Sequence, residues 1–103
     1  MSSYRLTRRA DADLEDIKNY LTEHAPSALN RVLNALKRSL QFLAEHPDAG
    51  TLREDLKTKL RSFTARRPAH NYVIYFRKQR GGIQVVAILH GSRDVEAVFE
   101  LRD

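Results

Sequence analysis

Apolar residues recur at alternating four- and three-residue intervals through the first half of the chain. One series contains Ala10, Leu14, Ile17 and Leu21, and a second contains Leu29, Leu33, Leu36, Leu40 and Leu43. This spacing places the members of each series on one face of an α-helix. The pattern therefore predicts two amphipathic helices, and the first is expected to begin near Arg8, with the Thr7 hydroxyl as its cap.

A short break separates these two helices. Pro26 disfavours the helical conformation at Ala25, and Ser27 is predicted to cap the second helix. Val32 and Phe42 widen the apolar face of that helix, until residues 46–50, HPDAG, supply stop and turn signals. The short connection favours an antiparallel helical hairpin.

Strand-like runs replace the helical spacing after residue 50. The predicted strands are residues 60–64, 72–77 and 83–90, and the Gly81-Gly82 pair is expected to connect the last two as a hairpin. Those two strands are apolar at nearly every position, which indicates that both of their faces are at least partly covered. A first strand is predicted at residues 4–6, and a short terminal helix at residues 93–101 with Val95, Val98 and Phe99 as its apolar face.

The predicted order is strand, helix, helix, strand, strand, strand in one domain spanning residues 1–103. We therefore expect an α+β fold in which a two-helix antiparallel hairpin packs on a small, mostly antiparallel β-sheet. The helices are available to cover one face of that sheet. The opposite face is expected to carry basic side chains and to be open to a partner.

Positive charge is concentrated in the second half of the chain. The net charge is +5, but residues 51–93 carry ten basic side chains against two acidic ones, which is a segment charge of +8 (10 − 2). A charge of this size favours an acidic partner, either nucleic acid or an acidic protein segment. The alternative is a basic surface that only promotes solubility. The ten basic residues are Arg53, Lys57, Lys59, Arg61, Arg66, Arg67, Arg77, Lys78, Arg80 and Arg93.

Several classes of site and location are disfavoured by composition. The chain has no cysteine, and its four histidines, at positions 24, 46, 70 and 90, have no metal-ligand spacing, so we predict no metal and no cofactor. Neither a signal peptide nor an apolar run of the length of a membrane span is visible, so we expect the protein in the cytoplasm and not in a membrane. Ser92 follows His90 closely, but no nucleophile elbow surrounds it.

Five segments of the chain are similar to those of one known superfamily. They are YRLTRRADADLEDI, AEHPDAG, LRSF, VIYFRK and VVAILHGSRD, which extend from Tyr4 to Asp94 in the order usual for that superfamily. On these segments the chain resembles the ParE/RelE toxins of bacterial type II toxin-antitoxin systems. The resemblance implies a cognate antitoxin that lays a partly disordered C-terminal segment over the toxin, in a hetero-oligomer with a dimeric antitoxin.

The superfamily has two main activities. RelE-like members cut messenger RNA in the ribosome, and ParE-like members inhibit DNA gyrase. A nuclease would need converging basic groups with an acid or base, for which the candidates are Arg61, Arg77, His90 and Arg93. Many RelE-like nucleases also carry an aromatic residue just after the last strand, whereas this chain has Gly91 to Asp94 there. The ILHGSRD ending is more similar to ParE, so a ParE-like gyrase inhibitor is predicted, with a nuclease or a degenerate toxin that only binds its antitoxin as alternatives.

The resemblance also directs attention to the surface that a ParD-like antitoxin would cover. We predict that the apolar residues Leu60 and Phe63 anchor the antitoxin segment, and that Arg61, Arg67 and Arg77 pair with its acidic groups.

Overall fold

The computed structural model describes residues 2–56 and 59–102, so Lys57, one of the ten basic residues, lies outside the described residues. In chain order the elements are β1 (Ser3–Leu6), α1 (Arg8–His24), a 3-10 turn (Pro26–Ala28), α2 (Leu29–Glu45), β2 (Thr51–Arg53), β3 (Leu60–Thr64), β4 (Tyr72–Gln79), β5 (Gly82–His90) and α3 (Val95–Leu101). The α+β class and the mostly antiparallel sheet are as predicted. Strand β2 was not predicted.

Side-chain caps mark the first residues of α1 and α3, but not of α2. The Thr7 hydroxyl accepts a hydrogen bond from the Ala10 backbone N–H at 3.1 Å and caps α1, as predicted. The predicted cap at Ser27 is wrong, because that residue lies inside the 3-10 turn and α2 begins at Leu29 without a side-chain cap. Asp94 caps α3 by accepting a hydrogen bond from the Ala97 N–H at 3.2 Å, which confirms the short terminal helix.

The five strands form one sheet in the order β1-β5-β4-β3-β2. Strand β1 runs parallel to β5, with Ser3 opposite Gly82, and all other neighbours are antiparallel. The β4–β5 ladder shifts register beside Tyr75 and Phe76, so β5 carries one extra residue there. Because β1 stops opposite Val85, the remainder of β5 has no neighbouring strand on that edge.

Each face of the sheet carries an apolar core. Helices α1 and α2 cover one face, where the main cluster includes Ile17, Leu36, Leu40, Leu43, Ile74, Phe76 and Ile88. On the other face the second cluster contains Leu56, Leu60, Tyr75, Val86, Ala87 and Leu89, with Val95, Val98 and Phe99 of α3 packed on it. The prediction that β4 and β5 are covered on both faces is confirmed. The expectation of an open basic face is wrong, because apolar side chains and α3 occupy that face.

Among the described residues, no helix is long and apolar enough to span a membrane.

Candidate functional site

An open cleft of about 700 Å³ lies between α1, the loop after β3 and the end of β5. Polar and aromatic side chains from three parts of the chain line it, including Asp16, Tyr20, Tyr72, His90 and Arg93. These elements meet because the end of β5 has no neighbouring strand on its outer edge and α1 crosses it there. The cleft therefore combines both signs of charge with ring surfaces.

His90 is held at the rim of this cleft by its own turn. Its Nδ1 accepts a hydrogen bond from the Ser92 backbone N–H at 3.1 Å and lies 2.7 Å from the Ser92 hydroxyl. Because a backbone N–H can only donate, the Nδ1 atom is the acceptor and the neutral ring carries its proton on Nε2. The Ser92 hydroxyl therefore donates to Nδ1 as well, and the turn fixes the orientation of the imidazole ring.

An aromatic ring lies next to His90, although none is present in residues 91–94, directly after β5. The Tyr72 ring meets the imidazole edge to face, with ring centroids 5.8 Å apart. Burial raises the pKa of the Tyr72 hydroxyl, and the nearby Tyr20 hydroxyl raises it further. This ring comes from the neighbouring strand β4, so the residues that directly follow β5 gave no sign of it.

The four candidate nuclease residues do not share one recess. Arg61 lies opposite Phe76 and Arg77 follows Phe76, so the Arg61 and Arg77 side chains point to opposite faces of the sheet. His90 lies opposite Tyr72, four residues along β4 from Phe76, which is roughly 13 Å along the strand. Only His90 and Arg93 line the cleft.

Arg61 instead belongs to a corner where α2 ends. Its guanidinium donates a hydrogen bond to the Asp48 carbonyl at 3.0 Å, and the Lys78 ammonium contacts the Asp48 carboxylate at 2.9 Å. The hydrogen bond from Lys78 and its positive charge hold the pKa of Asp48 below its usual value, and the charge of Arg61 contributes less. Arg61 is therefore committed in part to the backbone of this chain.

The predicted antitoxin contacts separate into accessible and buried residues. Phe63 is half-buried, with its ring 5.6 Å from that of Phe42, and it keeps some surface. Leu60 is only 1% exposed, because it is buried among the side chains of the second cluster. Arg67 is exposed on the loop after β3, and Arg77 is exposed on the α3 side of the sheet. Leu52, at 45% exposure and opposite Arg61, is an apolar surface residue that the sequence did not single out.

A mostly buried ion pair lies along the part of the β5 edge that has no neighbouring strand. Arg102 contacts the Asp13 carboxylate at 2.7 Å and donates to the Val86 carbonyl at 2.9 Å. The second oxygen of Asp13 accepts a hydrogen bond from the Ile88 N–H at 3.0 Å. These side chains satisfy two backbone groups that a sixth strand would otherwise pair. In the sequence, Asp13 is one of a group of acidic residues near the start of a helix, and nothing there links it to a residue 89 positions away.

Within residues 2–56 and 59–102, no group of three histidine, aspartate or glutamate side chains is positioned to hold a metal ion.

The sequence matches the model of one protein family over residues 4–95, and that family is described as the ParE toxin of the type II toxin-antitoxin system parDE. The chain belongs to the ParE toxin family. Toxin ParE1 of Caulobacter vibrioides is 30% identical to this ParE-family toxin over 98 residues, which cover 94% of the chain and 97% of the relative. Toxin RelE2 of the same organism is 34% identical over 87 residues, covering 84% and 92%.

A solved structure of a ParDE system has a similar fold. The chromosomal ParDE toxin-antitoxin system from P. aeruginosa contains a chain that superimposes on this ParE-family toxin with a TM-score of 0.68 at 25% identity, covering 87% of this chain and 96% of that one. The relatives include toxins named RelE as well as ParE, at identities between 29% and 34%.

Proposed function

We propose that this ParE-family toxin inhibits DNA gyrase and is neutralised by a cognate ParD-like antitoxin. The observation that supports this function over RNA cleavage is the strand register, which directs Arg61 and Arg77 to opposite faces and leaves both away from His90. A nuclease of this type needs several groups around one phosphate. Inhibition by binding needs a surface and no convergent centre.

The antitoxin surface is best supported at the β2–β3 edge. Leu52, Arg61 and Phe63 lie on the same sheet face there, because residues paired across antiparallel strands share a face and alternate residues along a strand do too. An extended acidic segment could bury Leu52 and Phe63 and pair its carboxylates with Arg61 and Arg67. Arg77 would pair with an acidic group of the antitoxin only if the antitoxin segment continues around the sheet edge to the α3 side. Leu60 supports this edge from the buried face.

Alanine substitutions at Phe63 and Leu60 are expected to have different effects. Phe63→Ala should weaken antitoxin binding at least about tenfold, because partly exposed aromatic residues act as anchors for a partner. Leu60→Ala should instead lower the free energy of unfolding by roughly 2–4 kcal/mol, since it opens a cavity under α3. Titration calorimetry with the purified antitoxin and urea unfolding measure the two effects. Unchanged antitoxin affinity in a folded Phe63→Ala variant would show that the anchor is elsewhere.

Expression of the full chain without antitoxin tests the target. We expect gyrase-dependent DNA cleavage complexes and a DNA-damage response, with intact messenger RNA. In a reaction of purified gyrase with supercoiled plasmid, the chain should cause linear DNA to accumulate, and prior addition of antitoxin should prevent it. Codon-positioned messenger RNA cuts with unaffected gyrase would contradict the proposal. A chain that binds antitoxin but gives neither response would be a degenerate toxin.

Ribosome-dependent RNA cleavage is the second candidate, and one observation favours it. His90, Arg93 and Tyr72 line the same cleft, so a titratable ring, a cation and a stacking surface are adjacent. If this activity exists, His90→Ala should abolish the messenger RNA cuts, and His70→Ala, which changes an exposed histidine outside the cleft lining, should leave them. The proposed inhibition of gyrase, in contrast, does not require His90 to carry a proton.

A further inference from the structure

Three exposed arginines form a line on the outer side of α2 and the loop after β3. We call Arg31, Arg38 and Arg66 the arginine ridge; all three are exposed. Arg67 follows Arg66 in the sequence and belongs to the proposed antitoxin surface. None of the three arginines lines the cleft, and the Phe42 ring beneath Arg66 also contacts Phe63 of the β2–β3 edge.

The geometry of α2 sets the spacing of the ridge. Arg31 and Arg38 are seven residues apart, so they lie on nearly the same stripe of the helix and about 10 Å from each other along its axis. Phe42 follows Arg38 by four residues and is its neighbour on the helix surface. The Arg66 guanidinium lies over the Phe42 ring, 4.5 Å from its centroid. The three cations therefore follow one another along a single side of the helix.

The loop that carries Arg66 is fixed to α2. The Arg66 backbone N–H donates a hydrogen bond at 2.9 Å to the hydroxyl of Ser39, which is fully buried, and that hydroxyl donates in turn to the Ala35 carbonyl at 2.8 Å. The Phe42 ring beneath the guanidinium restricts its side chain further. Arg66 is therefore oriented before any partner binds, which reduces the entropy lost on binding.

No carboxylate neutralises the ridge within the part of the chain that the structure describes. The ion pairs among the described residues involve other basic side chains, namely Lys18, Arg53, Lys78 and Arg102. The helix carries one acidic residue, Glu45, which lies on nearly the same stripe two turns beyond Arg38, and its carboxylate accepts a hydrogen bond from Gln41 at 3.0 Å. Three like charges on one stripe raise the local positive potential, and an external anion would lower it.

The surroundings of the ridge favour a phosphate backbone over a protein. Protein interfaces depend on apolar or aromatic anchors, but the large exposed apolar residues of the described chain, Tyr20, Leu52 and Leu101, are not on the ridge. The aromatic residue that is on it, Phe42, is covered by Arg66. Arginine suits phosphate oxygens because its planar fork donates two parallel hydrogen bonds. Single strands also require exposed rings for base stacking, and the exposed His46 ring beside the ridge is already stacked on Phe42, with ring centroids 4.5 Å apart.

From this we infer that the arginine ridge binds the sugar-phosphate backbone of duplex DNA without sequence preference. The choice of DNA over duplex RNA rests on the proposed function, since gyrase acts on duplex DNA. The arginine ridge would hold the toxin beside the DNA that gyrase is cleaving, while other surfaces contact the enzyme. DNA binding itself can be measured without gyrase, so the two proposals can fail separately.

The test measures binding of the purified full chain to a fluorescent 20-base-pair duplex of mixed sequence across a salt series. Each phosphate contact adds about 0.9 to the slope of log affinity against log salt concentration. A triple variant with Arg31→Gln, Arg38→Gln and Arg66→Gln should therefore reduce that slope by about 2.7. Glutamine keeps most of the side-chain length and is a good helix former, so the fold should be retained, which circular dichroism checks.

A control variant removes the same charge from other elements. Arg5→Gln, Arg8→Gln and Arg80→Gln change three exposed arginines in β1, the first turn of α1 and the β4–β5 turn. The slope for this variant should stay close to that of the unchanged chain. Equal losses in the two triple variants would overturn the proposal, because net charge alone would then explain binding. Preference of the ridge for duplex RNA, or for an acidic peptide that DNA cannot displace, would overturn it as well.

Discussion

Gly82→Ala is expected to lower the free energy of unfolding by about 3 kcal/mol or more, which is among the larger effects of single substitutions. A Cβ atom at this position would lie 1.7 Å from the Ser3 carbonyl oxygen, and Gly82 has a φ of +154°. The clash involves backbone on both sides, so no side-chain rotation relieves it. Strand β1 would have to move away from β5, and urea unfolding of the purified chain measures the result.

Gly81→Ala is the matched control for this substitution. Gly81 also has a positive φ, of +80°, but nothing lies within 4 Å of the position that a Cβ would take. Its replacement should therefore involve only conformational strain, of about 1 kcal/mol. If Gly82→Ala were no more harmful than Gly81→Ala, the close approach of β1 and β5 at Ser3 would be wrong.

Separation of Asp13 from Arg102 is the second change with a large expected effect. The two side chains are only 11% and 14% exposed, so either one left alone would be a poorly solvated charge. We expect Arg102→Ala to lower the free energy of unfolding by about 2 kcal/mol and Asp13→Ala by about 3 kcal/mol, because the latter also leaves the Ile88 N–H unpaired. Amide hydrogen exchange at Ile88 should accelerate in Asp13→Ala.

A double-mutant cycle isolates the interaction between the two residues. The Asp13→Ala, Arg102→Ala double variant should be clearly more stable than the sum of the single losses implies, because each single change leaves one charge unpaired. The exposed Lys78–Asp48 pair, with side chains 57% and 72% exposed, offers the comparison, and Asp48→Asn should have a much smaller effect. Strict additivity at Asp13 and Arg102 would indicate that they do not interact in solution.

Local patterns predicted most of the fold. The four-three spacing gave both long helices because each buries one continuous stripe against the sheet, and continuous apolar runs gave β4 and β5 because both of their faces are covered. Strand β2 escaped prediction because its three residues are largely exposed and form a strand only through their pairing with β3. The apolar runs indicated cover on the second face, but they did not show that α3 supplies it, because that depends on how Val95, Val98 and Phe99 pack on residues such as Leu60 and Tyr75 that lie far away in the sequence.

The candidate site was harder to predict than the fold. The sequence singled out His90 and the arginines by residue type, but their grouping depends on strand register and on which face each residue takes. Arg61 and Arg77 illustrate this, because a one-residue offset sends them to opposite faces. Tyr72 and Asp13 reach the end of β5 from other elements, and no local pattern reveals such neighbours. Residue type therefore identifies candidates, and long-range pairing decides which of them meet.

The parallel pairing of β1 with β5 also has a consequence for the timing of synthesis. Ser3 and Gly82 pair although 79 positions separate them (82 − 3), so β1, the first strand made, waits for β5. While the chain emerges from the ribosome, the N-terminal strand has no partner until β5 has left the exit tunnel, and such distant pairing is intrinsically slow. A nascent chain thus cannot complete its sheet until residues 82–90 have been made, and the backbone groups of β1 stay open to pairing with other chains until then.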